Sequence, residues 1–349
     1  MRDDRHSTRG HDYATLDGLR GLAAFAVALF HGCGTVVKVG FPPMSFLAVD
    51  FFFCLSGFAL SHAYGERLAG RALSHGAFLR LRVQRLYPMI VLGTLIGTAI
   101  HLAIADFPRA QVLITAPATL LLLPLGILFH RDAYPVDNPL WSLFFEFAGG
   151  IALGLLAGAR TWAWVALAAL GALGIAALLA MGADFDALGF TSAKMFIGGF
   201  ARLLLPFAAG IALHRGLGGC RRTIGPIWAF AALGLLLFVY DSGSLPGILF
   251  AVAVCVPAIV ALGALARPGA GDGAFRLAGR LSYPVYVLHL PLIDAAGWAA
   301  GASPAASPLR LSLLAAAIAL TLALSAIAER LWERPARAWL GRALRTRPA

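Results

Sequence analysis

Arg20 and His31 stand eleven residues apart in the apolar stretch LDGLRGLAAFAVALFHGCG, residues 16–34. On one α-helix that spacing sets them about 20° apart around the axis and roughly 16 Å apart along it. Two polar groups on one stripe of a membrane-length helix mark function or pairing. An imidazole, which titrates near neutrality, suits a general base. Three further segments hold candidate partners: SFLAVDFFFCLSGFALSHAY with Asp50 and Ser56, NPLWSLFFEFAGG with Trp141, Ser142 and Glu146, and RLSYPVYVLHLPL with Tyr283, Tyr286 and His289. A histidine beside a carboxylate is a base held in one tautomer and stabilised once protonated. A lone intramembrane histidine is more often a helix-packing hydrogen-bond partner, and His289 is open to either role. In FLRLRVQRLYPMI, Arg82 and Arg85 are three apart and share a helix face, which suits phosphates but equally suits an ordinary cationic flank.

The elements that must position these residues follow from hydropathy. The 349 residues are 60% hydrophobic and 13% charged, with a mean hydropathy of +0.80. Apolar runs near the roughly 20 residues of a bilayer span recur along the whole chain. The expected fold is all-α, a polytopic membrane bundle of ten helices near 17–35, 45–64, 86–105, 139–158, 162–181, 195–214, 224–240, 246–265, 281–299 and 309–330. The run 111–130 contains Pro117 and Pro124 and is expected to be re-entrant or interfacial. With the N-terminus inside, this model puts 22 of the 28 basic residues on the cytoplasmic side. Counting 111–130 as a span would carry Arg215, Arg221, Arg222 and the six C-terminal arginines outside. Both termini are therefore expected to be cytoplasmic.

That topology gives each polar residue a depth. Arg20 falls at the cytoplasmic end of span 1 and His31 at the outer end, with Asp50, Ser142 and Glu146 expected in the same outer layer as His31. The basic segments 1–15 and 341–349 read as cytoplasmic tails flanking a single membrane domain, with no cleavable signal peptide expected. AERLWERPARAW reads as an interfacial helix with Trp332 and Trp339 at headgroup level. Cys33, Cys54, Cys220 and Cys255 lack metal spacing, so no metal site is expected. The net charge of +11 is scattered between apolar runs, which speaks against nucleic acid as a partner.

Taken together, the segments resemble the acyltransferase-3 family of integral-membrane O-acyltransferases. The marks occur in order: LDGLRGLAAFAVALFH with its arginine–ten–histidine spacing, VDFFFCLSGF, the RxxR of Arg82 and Arg85, NPLWSLFFEF, RLSYPVYVLHLPL and ERLWERPAR. Family members commonly carry two adjacent acidic residues where Glu146 here is followed by Phe147, and some have a fused periplasmic domain that is not expected here. The resemblance implies transfer of an acyl group, acetyl as a rule, from cytoplasmic acyl-CoA to a hydroxyl of a carbohydrate or lipid-linked glycan outside. Acetyl-CoA would be a co-substrate, with no permanently bound cofactor, and the location would be the inner membrane of a bacterium.

Under that resemblance His31 is the expected general base and Asp50 its orienting partner, with Glu146 as a further catalytic candidate. Arg20, Arg82, Arg85 and Tyr283 are expected on the donor, and Ser142, Trp141, Ser56 and His289 on the acceptor side or in structural roles. Ser56 and Ser142 lie in no recognisable nucleophile motif, so direct transfer is expected rather than an acyl-enzyme. A proton-coupled transporter or a flippase of lipid-linked sugars would use the same residue types, and a succinyl or other acyl group would suit the same enzyme.

Overall fold

The computed structural model describes residues 13–217, 220, 222–241 and 244–344. Arg2, Arg5, Arg9, Arg221, Arg345 and Arg347 lie outside the described residues, as does most of both expected tails. We label the helices α1 Ala14–Val37, α2 Leu47–Ala69, α3 His75–Ile104, α4 Arg109–Leu120, α5 Leu140–Leu156 and α6 Thr161–Ala180. There follow α7 Ala193–Gly216, α8 Pro226–Phe238, α9 Leu245–Ala264, α10 Asp272–Ala300, α11 Pro308–Ala328 and α12 Arg334–Ala343. Among the described residues no strand forms; one isolated bridge pairs Ile224 with Ala266.

Local chemistry sets several of these boundaries. Ser74, Ser192 and Ser244 precede α3, α7 and α9, and each hydroxyl accepts a backbone N–H three residues on, occupying a donor the helix leaves unpaired. Proline opens α8 and α11, where its missing N–H is not needed.

Each of the ten expected spans falls on a helix. Among the described residues seven helices are long and apolar enough to cross a membrane. The apolar α5 and α8 have 17 and 13 residues and fall short of that length, while α10 has 29 residues and carries charge. The region 111–130 holds α4 and a short turn of helix, Leu125–Phe129. At 12 residues α4 is about 18 Å long, far less than the roughly 30 Å of hydrocarbon in a bilayer.

The bundle is inverted relative to a water-soluble one. Its outer surface carries Leu155, Trp162, Leu173, Ile197 and Ile227, each about two-thirds exposed, while Asp50, Arg202 and His289 are wholly buried. Such burial is tolerated only with partners, and the site is built from them. The helices that bear it pack closely. At the crossing of α2 and α7, Gly57 lies against the Phe207 carbonyl and Gly210 against that of Cys54. A methyl group at either position would overlap the opposing backbone.

Candidate active site, two cavities on five shared helices

Two cavities of about 580 and 540 Å³ open within the bundle. His31 lines the first, and Arg20, Arg82, Arg85 and Arg337 line the second. The same five helices serve both, each with one end. On α1 His31 faces the histidine cavity and Arg20 the arginine cavity. Val49 and Ser56 divide in the same way on α2, His101 and Arg82 on α3, Trp141 and Glu146 on α5, and Asp294 and Tyr283 on α10. Tyr286 alone among the lining residues borders both. The eleven-residue spacing of Arg20 and His31 thus spans from one cavity to the other.

In the arginine cavity every arginine is held. Arg20 donates to Asp17 at 3.0 Å, to Ser282 Oγ at 3.0 Å and to the Gly279 carbonyl at 2.9 Å. Arg82 pairs with Glu146, which also accepts from Ser56 at 3.2 Å. Arg85 and Arg337 share one buried carboxylate, Glu333, at 2.5 and 3.5 Å. The Tyr283 hydroxyl donates to the Leu86 carbonyl at 2.6 Å, and the Arg85 guanidinium lies 5.1 Å from its ring. Phe52, Phe53, Leu55, Leu60 and Leu86 complete the wall. The arrangement offers cations at a rim and an apolar slot beside them.

Two expected placements are corrected here. Glu146 was expected beside His31 in the outer layer, but it and Ser56 line the arginine cavity, because α5 turns its Glu146 face toward Arg82 on α3. Ser142 lies there as well, while its neighbour Trp141 lines the histidine cavity.

The third correction concerns Asp50, expected to orient His31. Its carboxylate is taken by Arg202 of α7 in a two-point pair at 3.3 and 3.0 Å, with both side chains buried. The remaining Arg202 donors reach the carbonyls of Phe46, Phe185, Asp186 and Leu188, and its guanidinium lies over Phe185 at 4.5 Å and Trp141 at 5.3 Å. A buried arginine captures the nearest carboxylate, since leaving either charge alone costs several kcal/mol.

His31 instead meets His289, with ring centroids 5.3 Å apart. His289 Nδ1 donates to the Tyr286 carbonyl at 2.7 Å, also within reach of Val285, which fixes its tautomer. Its Nε2 therefore carries a lone pair, and it is buried without a hydrogen-bond partner. Elsewhere in the same cavity His101 takes Asp106 at 3.0 Å through Nδ1 and faces Asp294 at 3.8 Å through Nε2.

Sequence reasoning missed Arg202, Arg337 and the His101 group, and named Tyr286 without assigning it a role. Arg202 carried a usable signal, as an arginine well inside the expected span 195–214, near the depth of Asp50. The others carried none: Arg337 sits in a stretch that reads as an interfacial helix, and Tyr286 gains its position only from the cavities on either side. Among the described residues no group of three or more histidine, cysteine or acidic side chains could hold a metal ion.

Residues 13–330 match the family model described as an acyltransferase domain, and the chain belongs to that family. It is 36% identical over 151 residues to "Protein 2 in picA locus" of Rhizobium radiobacter, an overlap that covers 38% of this chain and 76% of that relative. No solved structure matches.

Proposed function

From that membership we propose that this membrane acyltransferase moves an acyl group, acetyl in the first instance, from acyl-CoA in the arginine cavity to a hydroxyl of a carbohydrate or lipid-linked glycan in the histidine cavity. The observation that carries the reading is the pair of cavities on opposite ends of the same helices, one rich in arginine and the other in histidine and aspartate, abutting at Tyr286. A donor and an acceptor on different sides of a membrane require that plan.

Arg85 and Arg337, half-exposed at the rim, would meet the phosphates of CoA in exchange for part of their hold on Glu333. The apolar wall of Phe52, Phe53 and Leu55 suits the uncharged arm that carries the thioester. His31 takes the proton of the acceptor hydroxyl as its oxygen attacks the thioester carbon. It returns that proton to the sulfur when the carbon–sulfur bond breaks. His289, with Nε2 open beside His31, steadies the imidazole in the place where a carboxylate was expected. The arginine cavity then faces the cytoplasm of a bacterial inner membrane.

Purified protein in vesicles, supplied with labelled acetyl-CoA and an envelope glycan extract, tests the reading. Label should pass to glycan; donor binding without any transfer, or glycan movement without label, would give the site to a transporter instead. Orientation is read separately, after replacing the native cysteines. His130→Cys should react with an impermeant thiol reagent from outside the cell and Ala72→Cys should not, both positions being exposed in loops.

A further inference from the structure

We propose that Tyr286 is a catalytic residue, the hydrogen-bond donor to the oxyanion that develops on the thioester carbonyl; this rests on the acyl-transfer reading above. The thioester arrives from one cavity and the acceptor hydroxyl from the other, so the reacting carbon must lie where the two abut. Tyr286 is the one lining residue common to both. Its ring stands edge-on to Phe52 at 5.4 Å on the donor side and against His289 at 5.8 Å on the side of the base.

Its hydroxyl is 2.7 Å from Ser142 Oγ and 3.4 Å from the Pro139 carbonyl, while Ser142 Oγ lies 3.0 Å from that same carbonyl. Either hydroxyl can donate across the 2.7 Å contact; with Ser142 donating to the Tyr286 oxygen instead of to Pro139, the phenol proton is left for a carbonyl oxygen arriving at the junction. The neighbouring guanidinium groups are engaged in ion pairs. Arg202 spends its N–H groups on Asp50 and four carbonyls, and Arg82 is paired with Glu146, its unpartnered Nε lying beside Gly150 of α5. A phenol remains protonated at neutral pH and is buried here without charge, so it donates without needing a counter-ion.

The step balances. The acceptor oxygen forms its bond to the carbonyl carbon and gives its proton to His31, and the carbonyl electron pair moves onto oxygen, where Tyr286 donates a hydrogen bond and keeps its proton. As the pair returns, the carbon–sulfur bond breaks and the sulfur takes the proton from His31.

In the vesicle assay Tyr286→Phe keeps the partition and removes the donor. It should lower kcat by about a hundredfold, the effect of losing one oxyanion donor. KM for acetyl-CoA and direct CoA binding should stay within about threefold of wild type, as expected when the lost contact exists only in the transition state. A second measurement guards against misfolding. Mono-, di- and trifluorotyrosine placed at 286 keep ring and hydroxyl while raising phenol acidity, and the rate should change progressively along the series; a purely packing role would leave it flat. A flat series, or Tyr286→Phe transferring within threefold of wild type, overturns the assignment. Wild-type protein that transfers no label from acetyl-CoA would instead overturn the acyl-transfer reading itself.

Discussion

The arginine cavity and the histidine cavity are made by the same five helices, yet their charges are handled in opposite ways. In the first, four arginines and one glutamate line the wall, and each cation is already engaged with Asp17, Glu146 or Glu333. In the second, Asp106, Asp132, Asp186 and Asp294 line a wall with only two arginines, and Arg202 is neutralised from behind by Asp50. Among the described residues no carboxylate is hydrogen-bonded to His31. The cavities therefore differ in sign, and a polyphosphate donor of the kind proposed would be attracted by one and repelled by the other. Under the proposed function, the fixed ion pairs would recognise the donor that is bound and released, while the imidazole of His31 would act on a proton.

The largest expected effect breaks the comparison on its histidine side. His31→Ala should lower transfer by 10²-fold to 10⁴-fold, the usual span for a lost general base, with CoA binding unchanged. Transfer near the wild-type rate in purified His31→Ala protein would hand the role of base to another residue, His101 first.

Next comes the pair that belongs to neither function. Asp50→Asn leaves Arg202 buried without its counter-charge, which should destabilise the protein by about 3–5 kcal/mol. Loss of monodisperse protein on heating in detergent measures this. The double variant Asp50→Asn with Arg202→Met should recover much of the loss. If Asp50→Asn instead stays stable and loses only activity, Asp50 acts on His31 after all.

On the arginine side the effect should be smaller and of a different kind. Arg85→Gln with Arg337→Gln should raise KM for acetyl-CoA about tenfold and leave kcat within a few-fold, because contacts remote from the reacting carbon hold ground and transition states alike. Added salt should weaken the donor less in this variant than in wild type, since exposed charges are screened. A fall in kcat at constant KM would place these arginines near the chemistry.

The smallest expected effect belongs to Glu333→Gln, which frees both Arg85 and Arg337 without removing either. KM for acetyl-CoA should move by only a few-fold. Its sign separates two roles: a lower KM means that Glu333 competes with phosphate, and a higher one that it holds the cations in place.

Hydropathy was enough to place all ten expected spans on helices and to leave Arg109–Leu120 too short to cross, because lipid forces a hydrogen-bonded backbone into helices and sets their length. The one-dimensional spacing of Arg20 and His31 was legible for the same reason, since a helix converts eleven residues into a fixed reach. Partners were another matter. Depth alone set Asp50, Glu146 and His31 in one layer, but which of them meet depends on how each helix is rotated about its axis and which neighbour it packs on. Rotation gave Asp50 to Arg202 and Glu146 to Arg82, left His289 beside His31, and put Tyr286 on the boundary of both cavities. The sequence by itself determined the helices, their order and the residue types available for chemistry. Only tertiary packing decided the pairings, because a buried charge takes the counter-charge that the packed helices bring within about 3 Å, and nothing local in the chain encodes that choice.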